Sequence, residues 1–395
     1  MTDEFLEEQR RAAETAAAVL SQRWQARVSL GSVTALGDAS RRNLVLRALA
    51  SREGAPPRSV IVKATRDKAF DPQAADLFET SGLAKEWAAT SFLAEHAPTA
   101  SHAPAFLGGA AAEGVLVFED LGTTLGSLVD PLLKGPPDRA IAALTAYAAA
   151  LGRLHADTLG CAGDHAVALQ RAFPAVRAPD PGGGESWRQQ TVERMERLLG
   201  GPPLAPSIVG EIAVVGDRLA RPGRWFSLVH RDACPDNVLL GDGRAHLLDF
   251  EFASPGHVLL DASYWRMGFP TCWCAGRLPD PVLATMDRAY RDALATTLPI
   301  VRDDRAFHEE MAILQFARLF GSLAWLLDKA LAEDRPWGLS TYRCRILWYL
   351  DAATQGAEQA GVLGNLAARA QHWRAQLGDC WPEAGPLALY PAFFS

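Results

Sequence analysis

Along residues 3–24, Phe5, Leu6, Ala13, Ala16, Leu20 and Trp24 fall near helical spacing, which predicts an amphipathic helix. From about Val28 to Arg66 the period shortens toward two. The runs VSLGSVTAL, GDASRRN and LVLRALA read as strand, polar turn and strand, and a loop at Glu53–Pro57 leads into a third strand, SVIVKAT. Residues 82–96 return to a helical pattern, and FLGGAAAEGVLVFEDLG gives two short strands that end at Leu121. These elements make a small β-rich N-terminal part, with a boundary expected near 119–124 and domains at 1–121 and 122–395.

Helical patterns dominate afterwards. Asp138–Ala156 carries apolar positions at Ile141, Leu144, Ala148, Leu151 and Leu154, and another helix is expected over about Ser186–Leu199. Between them Pro174–Glu185 is rich in proline and glycine and reads as a flexible insertion. A β-rich centre, WFSLVHRDACPDNVLLGDGRAHLLDFEFA, precedes at least four more helices. The first of these is expected to start at Asp280-Pro281, an N-cap followed by a proline at the first helical position. The fold class is therefore α+β, with a large, mainly helical C-terminal part.

Composition narrows the function only by exclusion. A chain of 395 residues with 49% hydrophobic and 22% charged residues can bury a substantial core. A net charge of −7 offers no basic stripe for nucleic acid. The N-terminus is acidic and lacks the apolar region of a signal peptide, and no run of about 18 uninterrupted apolar residues suggests a membrane span. A cytoplasmic protein with reduced thiols is the expectation. Of six scattered cysteines only Cys272 and Cys274 are close in sequence, and a lone C-x-C is set aside as a metal site. Only five of the 39 basic residues are lysine, so Lys63 within an apolar strand stands out.

The chemistry concentrates in His230-Arg231-Asp232, Asn237 and Asp249-Phe250-Glu251. Phosphoryl transfer needs a carboxylate beside the attacking hydroxyl and oxygen ligands for a hard cation that bridges phosphates. Asp232 and Asn237 follow an apolar strand, and a hairpin turning at Asp242-Gly243 brings in Asp249. Any one of these residues alone would read as a turn cap. As the ordered set H-x-D-x4-N-x11-D, they read as a site.

This set resembles the catalytic segment of the aminoglycoside phosphotransferase and choline kinase superfamily, relatives of the protein kinases. The resemblance implies a bilobal protein-kinase-like fold and an ATP- and Mg²⁺-dependent kinase. Asp232 would be its catalytic base, Asn237 and Asp249 its metal ligands, and His230 a brace for the loop. Lys63 is similar to the strand lysine that holds the α- and β-phosphates. Glu86 would be its partner, with Glu79 and Glu95 as competitors. Ser40, in the Gly37–Asn43 loop, would meet the β-phosphate unless it is an ordinary turn serine. Val117–Gly122 is similar to the hinge whose carbonyl at Glu119 and amide at Leu121 read adenine. Asp261 would fix the catalytic loop, and Glu251 is a group linked to the metal or simply at the surface.

Only eleven residues separate Asp249 from Asp261, and no A-P-E follows, which leaves no room for a protein kinase's activation loop. The acceptor is then a small-molecule hydroxyl: an aminoglycoside or other antibiotic, a choline-like amino alcohol, or a sugar. A non-catalytic ATP-binding scaffold is the reading from another class. Residues 156–225 and 262–395 are expected to line an acceptor cleft facing Asp232. Seven tryptophans in the C-terminal part read as core or as a wall for a cation.

Overall fold

Alternation in the third strand puts Val60, Val62 and Ala64 on one face and Lys63 on the other. In the computed structural model, which describes residues 3–74, 78–97, 102–177 and 185–394, that strand is the centre of a five-stranded sheet. The elements are α1 (Asp3–Trp24), β1 (Val28–Ala35), β2 (Asn43–Arg52), β3 (Ala55–Thr65), α2 (Phe78–His96), β4 (Phe106–Ala110) and β5 (Val115–Glu119). The strands run in the order β1-β2-β3-β5-β4, every neighbouring pair antiparallel.

Helix α1 closes one face of the sheet. Its buried stripe is Phe5, Ala12, Ala16 and Leu20, packed with Leu46, Ala48, Val60, Val62 and Val117 in one cluster. Leu6, expected on that stripe, is 45% exposed, because its neighbour Phe5 takes the core position on the helix. Acidic Asp3 and Glu4 at the start and Arg23 at the end oppose the helix dipole favourably.

These elements belong to a unit made of Met1–Leu125, Cys161–Ala178 and His246–Ser254. The unit is therefore built from three separate stretches of chain. The helix Ala162–Ala172, which sequence periodicity did not bring out, sits against α2. There Phe173 meets Trp87 edge-on and the buried His165 ring lies 6.2 Å from Phe92.

The second unit comprises Gly126–Gly160, Pro179–Ala245 and Pro255–Ser395 and is mainly helical. Its helix Pro137–Asp157 buries Leu144, Tyr147, Leu151 and Leu154. Ser227, on the short strand Phe226–Val229, donates to the carbonyl of His155 at 2.9 Å and pairs with the Thr158 hydroxyl at 2.7 Å, so strand and helix are pinned together. Asp242 and Gly243 both have positive φ (50° and 71°), as the expected two-residue turn requires.

Some helices were not anticipated. Pro206–Ala220 follows the one helix expected over about Ser186–Leu199, which is observed at Glu185–Leu198, and Leu259–Arg266, not the helix at Asp280, is the first after the β-rich centre. Residues Leu259 to Trp265 are all buried, so this helix shows no amphipathic stripe to detect. In the helix Asp280–Leu294 the N-cap is Pro279, and Asp280 is already helical. Of the proline- and glycine-rich stretch 174–185, residues 178–184 lie outside the described residues. The helix Asp304–Ala332 holds an 18-residue window of mean hydropathy 1.3, long and apolar enough to cross a membrane by length and composition. As 72% of that window is buried inside the protein, its apolarity is that of a core helix.

Candidate active site

In the first unit Lys63, on the face of β3 opposite α1, reaches Glu86 of α2. Lys63 Nζ lies 2.6 Å from Glu86 Oε2 and 2.5 Å from Asp249 Oδ1, with the lysine and Glu86 side chains only 14% and 5% exposed. Burial alone would lower the Lys63 ammonium, but the carboxylates of Glu86, Asp249 and Glu251 outweigh it and hold it above its ordinary value. Burial raises Glu86, with Lys63 pulling the other way. Of the other two glutamates considered for Lys63, Glu95 pairs with Arg171, and the Glu79 side chain lies outside the described residues.

Asp249 itself has φ +62°, the left-handed region that aspartate tolerates better than most residues. The tight turn Phe250–Phe252 follows and sets Glu251 beside it. Glu251 pairs with Arg42 of the β1–β2 loop. Burial raises its pKa and the charge of Asp249 raises it further, against Lys63 and Arg42. This glutamate is thus a partner of the loop, a contact that its sequence position left open. Arg66 holds the same loop by donating to the carbonyls of Ala39 and Arg41. Ser40, at its exposed tip, gives both its amide (2.9 Å) and its hydroxyl (2.5 Å) to Asp38 Oδ1.

At the end of β5, Glu119 is fixed twice by Ala105. Its amide donates to the Ala105 carbonyl at 2.9 Å, and its carboxylate accepts the Ala105 amide at 2.8 Å. The adjacent Asp120 accepts from Arg47 (2.7 Å), Ser59 (2.6 Å) and the Gly122 amide (3.0 Å), which ties the approach to Leu121 onto β2 and β3. Asp120 had no sequence signal beyond its place in the motif.

In the second unit Asp232 sits on a loop braced from below. Asp261, fully buried, accepts the backbone amides of His230 (2.7 Å) and Arg231 (2.8 Å) on its two oxygens and also meets His155 Nε2 at 3.1 Å. Burial would raise this carboxyl, but its hydrogen bond and attraction to His155 and the charges of His230 and Arg318 lower it. Arg231 takes φ +68°, so the loop turns sharply just before Asp232. Tyr147 donates to the Ala233 carbonyl at 2.7 Å and holds the far side.

The Asp232 carboxylate is unevenly occupied. Oδ1 accepts from Thr271 at 2.5 Å and from Tyr264 at 3.0 Å, and the two hydroxyl oxygens lie against each other. Among the described residues Oδ2 has one long contact, 3.4 Å from Asn237 Nδ2, which also donates to the Asp232 carbonyl at 3.0 Å. Asn237 therefore turns its amide nitrogen toward Asp232 and its oxygen the other way. Tyr264 and Thr271 were missed by sequence reasoning.

The tryptophans do not form a wall for an external cation. Trp265, Trp373 and Trp381 are core residues. Lys329, Arg345, Arg277 and Arg343 already lie over Trp325, Trp337, Trp348 and Trp381. Trp273 alone of the seven is exposed, and its indole donates to Asp236 at 2.9 Å.

A family model described as "Phosphotransferase enzyme family" matches residues 79–302. No curated protein is significantly similar to the chain. Among solved structures, a choline/ethanolamine kinase family protein from Mesorhizobium loti is 17% identical, with 87% of this chain and 93% of that one covered at a TM-score of 0.46. A macrolide 2'-phosphotransferase from Brachybacterium faecium is 16% identical, with 79% and 93% covered and a TM-score of 0.42. A choline kinase from Streptococcus pneumoniae is also 16% identical, with 89% and 94% covered and a TM-score of 0.41.

Proposed function

This chain belongs to the phosphotransferase enzyme family, and from that premise we propose that it transfers the γ-phosphate of ATP to a hydroxyl of a small molecule. The observation that carries the reading is the uneven Asp232 carboxylate. Two hydroxyls hold Oδ1, so Oδ2 is the atom left to receive a proton. An acceptor hydroxyl presented there gives its proton to Oδ2 as its oxygen attacks the γ-phosphorus, and ADP leaves. Asp261 and Tyr147 keep the loop still, so little reorganisation accompanies the step.

Lys63, aligned by Glu86, binds the α- and β-phosphates in this reading, with Ser40 at the β-phosphate. The Glu119 carbonyl and Leu121 amide receive adenine. In this reading Mg²⁺ would be held by two hard oxygen ligands, Asp249, whose Oδ1 Lys63 takes while Oδ2 remains, and Asn237 through its amide oxygen. When bound, the ion neutralises charge on the phosphates. The acceptor is an aminoglycoside or another hydroxyl-bearing antibiotic, with choline-like amino alcohols and sugars as the alternative. The same residues would serve a scaffold that binds ATP without turnover.

The test is acceptor-dependent ADP formation across panels of aminoglycosides, other antibiotics, amino alcohols and sugars, with the product identified by mass. The expected result is one class that raises ADP release above the ATP-hydrolysis background and gains a phosphate. Nucleotide binding with no turnover on any panel would favour the scaffold and overturn the proposal.

A further inference from the structure

Cys234 converges on Cys272 and Cys274, from which the sequence keeps it apart. Cys234 lies two residues after Asp232, at the start of the turn Pro235–Asn237, whereas Cys272 and Cys274 lie in the loop that follows the helix Leu259–Arg266. All three are buried, at 4%, 1% and 0% exposure. The sulfurs of Cys234 and Cys272 and a carboxylate oxygen of Asp236 all lie within 4.8 Å of one another. Cys272 Sγ stands 3.5 Å from Asp236 Oδ1, and Cys274 Sγ stands 2.9 Å from Cys272 Sγ but outside that mutually close trio.

We propose that Cys234, Cys272, Cys274 and Asp236 form a structural transition-metal site of the zinc class, distinct from the Asp249 and Asn237 oxygen ligands. Cys234, Cys272 and Asp236 already stand together as three ligands, Cys274 beside Cys272 is the fourth that tetrahedral zinc would draw in, and soft sulfur discriminates against Mg²⁺. On such an ion two sulfurs stand roughly 3.8 Å apart, so an ion between Cys272 and Cys274 separates them by about an ångström. A disulfide would use two of these sulfurs and leave the third thiol and the carboxylate without a purpose. A metal uses all four.

The three sulfurs are buried, and Asp236 is the exposed member of the set. Trp273 holds Asp236 through Oδ2 at 2.9 Å, and Oδ1 is the oxygen facing Cys272. The fully buried Arg345 donates to the carbonyls of Cys272 (2.7 Å), Trp273 (3.2 Å) and Trp337 (2.7 Å), which fixes the loop and places a positive charge beside an anionic ligand set. The clamp joins the loop of Asp232 to the loop of Thr271, whose hydroxyl bonds Asp232. Its role is to position that pair.

The experiment is metal analysis of the full chain purified in reductant, followed by exchange of the bound ion for Co²⁺. The expected result is one zinc ion per chain and, with cobalt, thiolate-to-metal charge-transfer absorption in the near ultraviolet. Cys272→Ser and Cys274→Ser should each lose the metal, and Cys344→Ser and Cys380→Ser should keep it. If the first two variants do not fold, the cobalt spectrum of the wild-type chain decides. Reduced wild-type protein that takes up neither ion, a cobalt spectrum without thiolate bands, or undiminished zinc in Cys272→Ser would overturn the proposal.

Discussion

Thr271 Oγ1 lies 2.5 Å from Asp232 Oδ1, on the oxygen that also receives the Tyr264 hydroxyl. Asp232→Asn keeps the shape of that arrangement and removes its proton affinity. Turnover should fall roughly 10²–10⁴-fold while ATP affinity stays near that of the wild type. Thr271→Val removes one of two donors that aim the carboxylate and should lower kcat by about 10-fold, the low end for a hydrogen bond to a charged group. Its KM for ATP should hold. Steady-state kinetics with the acceptor found by screening, beside calorimetry with ATP, separates these effects. Wild-type kcat in Asp232→Asn, under conditions where chemistry limits, would remove it as the base.

Asp249 is best tested by asparagine. Its φ of +62° would strain an alanine, whereas asparagine accepts the left-handed region. Asp249→Asn should unfold at nearly the wild-type temperature, since Glu86 still pairs with Lys63. Its Mg²⁺-dependent ATP affinity should drop by roughly tenfold or more, which is about 1.4 kcal/mol per decade. Equal affinities in a magnesium titration would count against this ligand.

Acid sensitivity should trace partly to His165. Burial lowers this histidine from 6.5 to about 4, and its Nε2 has no hydrogen-bond partner among the described residues. The folded state thus disfavours the charged ring. The stability contributed by the neutral form is complete above pH 6.5 and is lost as pH falls from 6.5 toward 4, by at most about 3 kcal/mol. Denaturant titrations of wild type and His165→Leu at several pH values isolate this share from that of the carboxylates. The difference in stability between the two should shift in the variant's favour on acidification. A pH-independent difference would show that His165 is not the group responsible.

What the sequence disclosed follows from which contacts are local. Strand alternation separated Lys63 from Val60 and Val62, and the paired turn residues Asp242-Gly243 marked their hairpin unaided. Tyr264 was hidden because its helix is buried on every side and so carries no periodic signature. Thr271 follows Gly268 and Phe269, both with positive φ, and no local pattern says where such a bend aims the next side chain. The convergence of Cys234 on Cys272 is a matter of tertiary packing alone. Asp120 carries no signal of its own within Val117–Gly122, although Arg47 and Ser59 make it a tether.

The first unit draws on three stretches of the chain, and its last, His246–Ser254, carries Asp249. A ribosome therefore releases α1, the whole sheet and α2 well before the carboxylate that faces Lys63, and before it Phe173, which covers Trp87. Until residue 254 has emerged, the growing chain holds a lysine and a glutamate facing a gap in their surroundings. A fragment ending at Leu125 would keep that gap permanently. The part that holds Lys63 cannot, on this account, be shuffled between proteins as a leading cassette, since inheritance of Lys63 without His246–Ser254 transmits half of an ion-pair network.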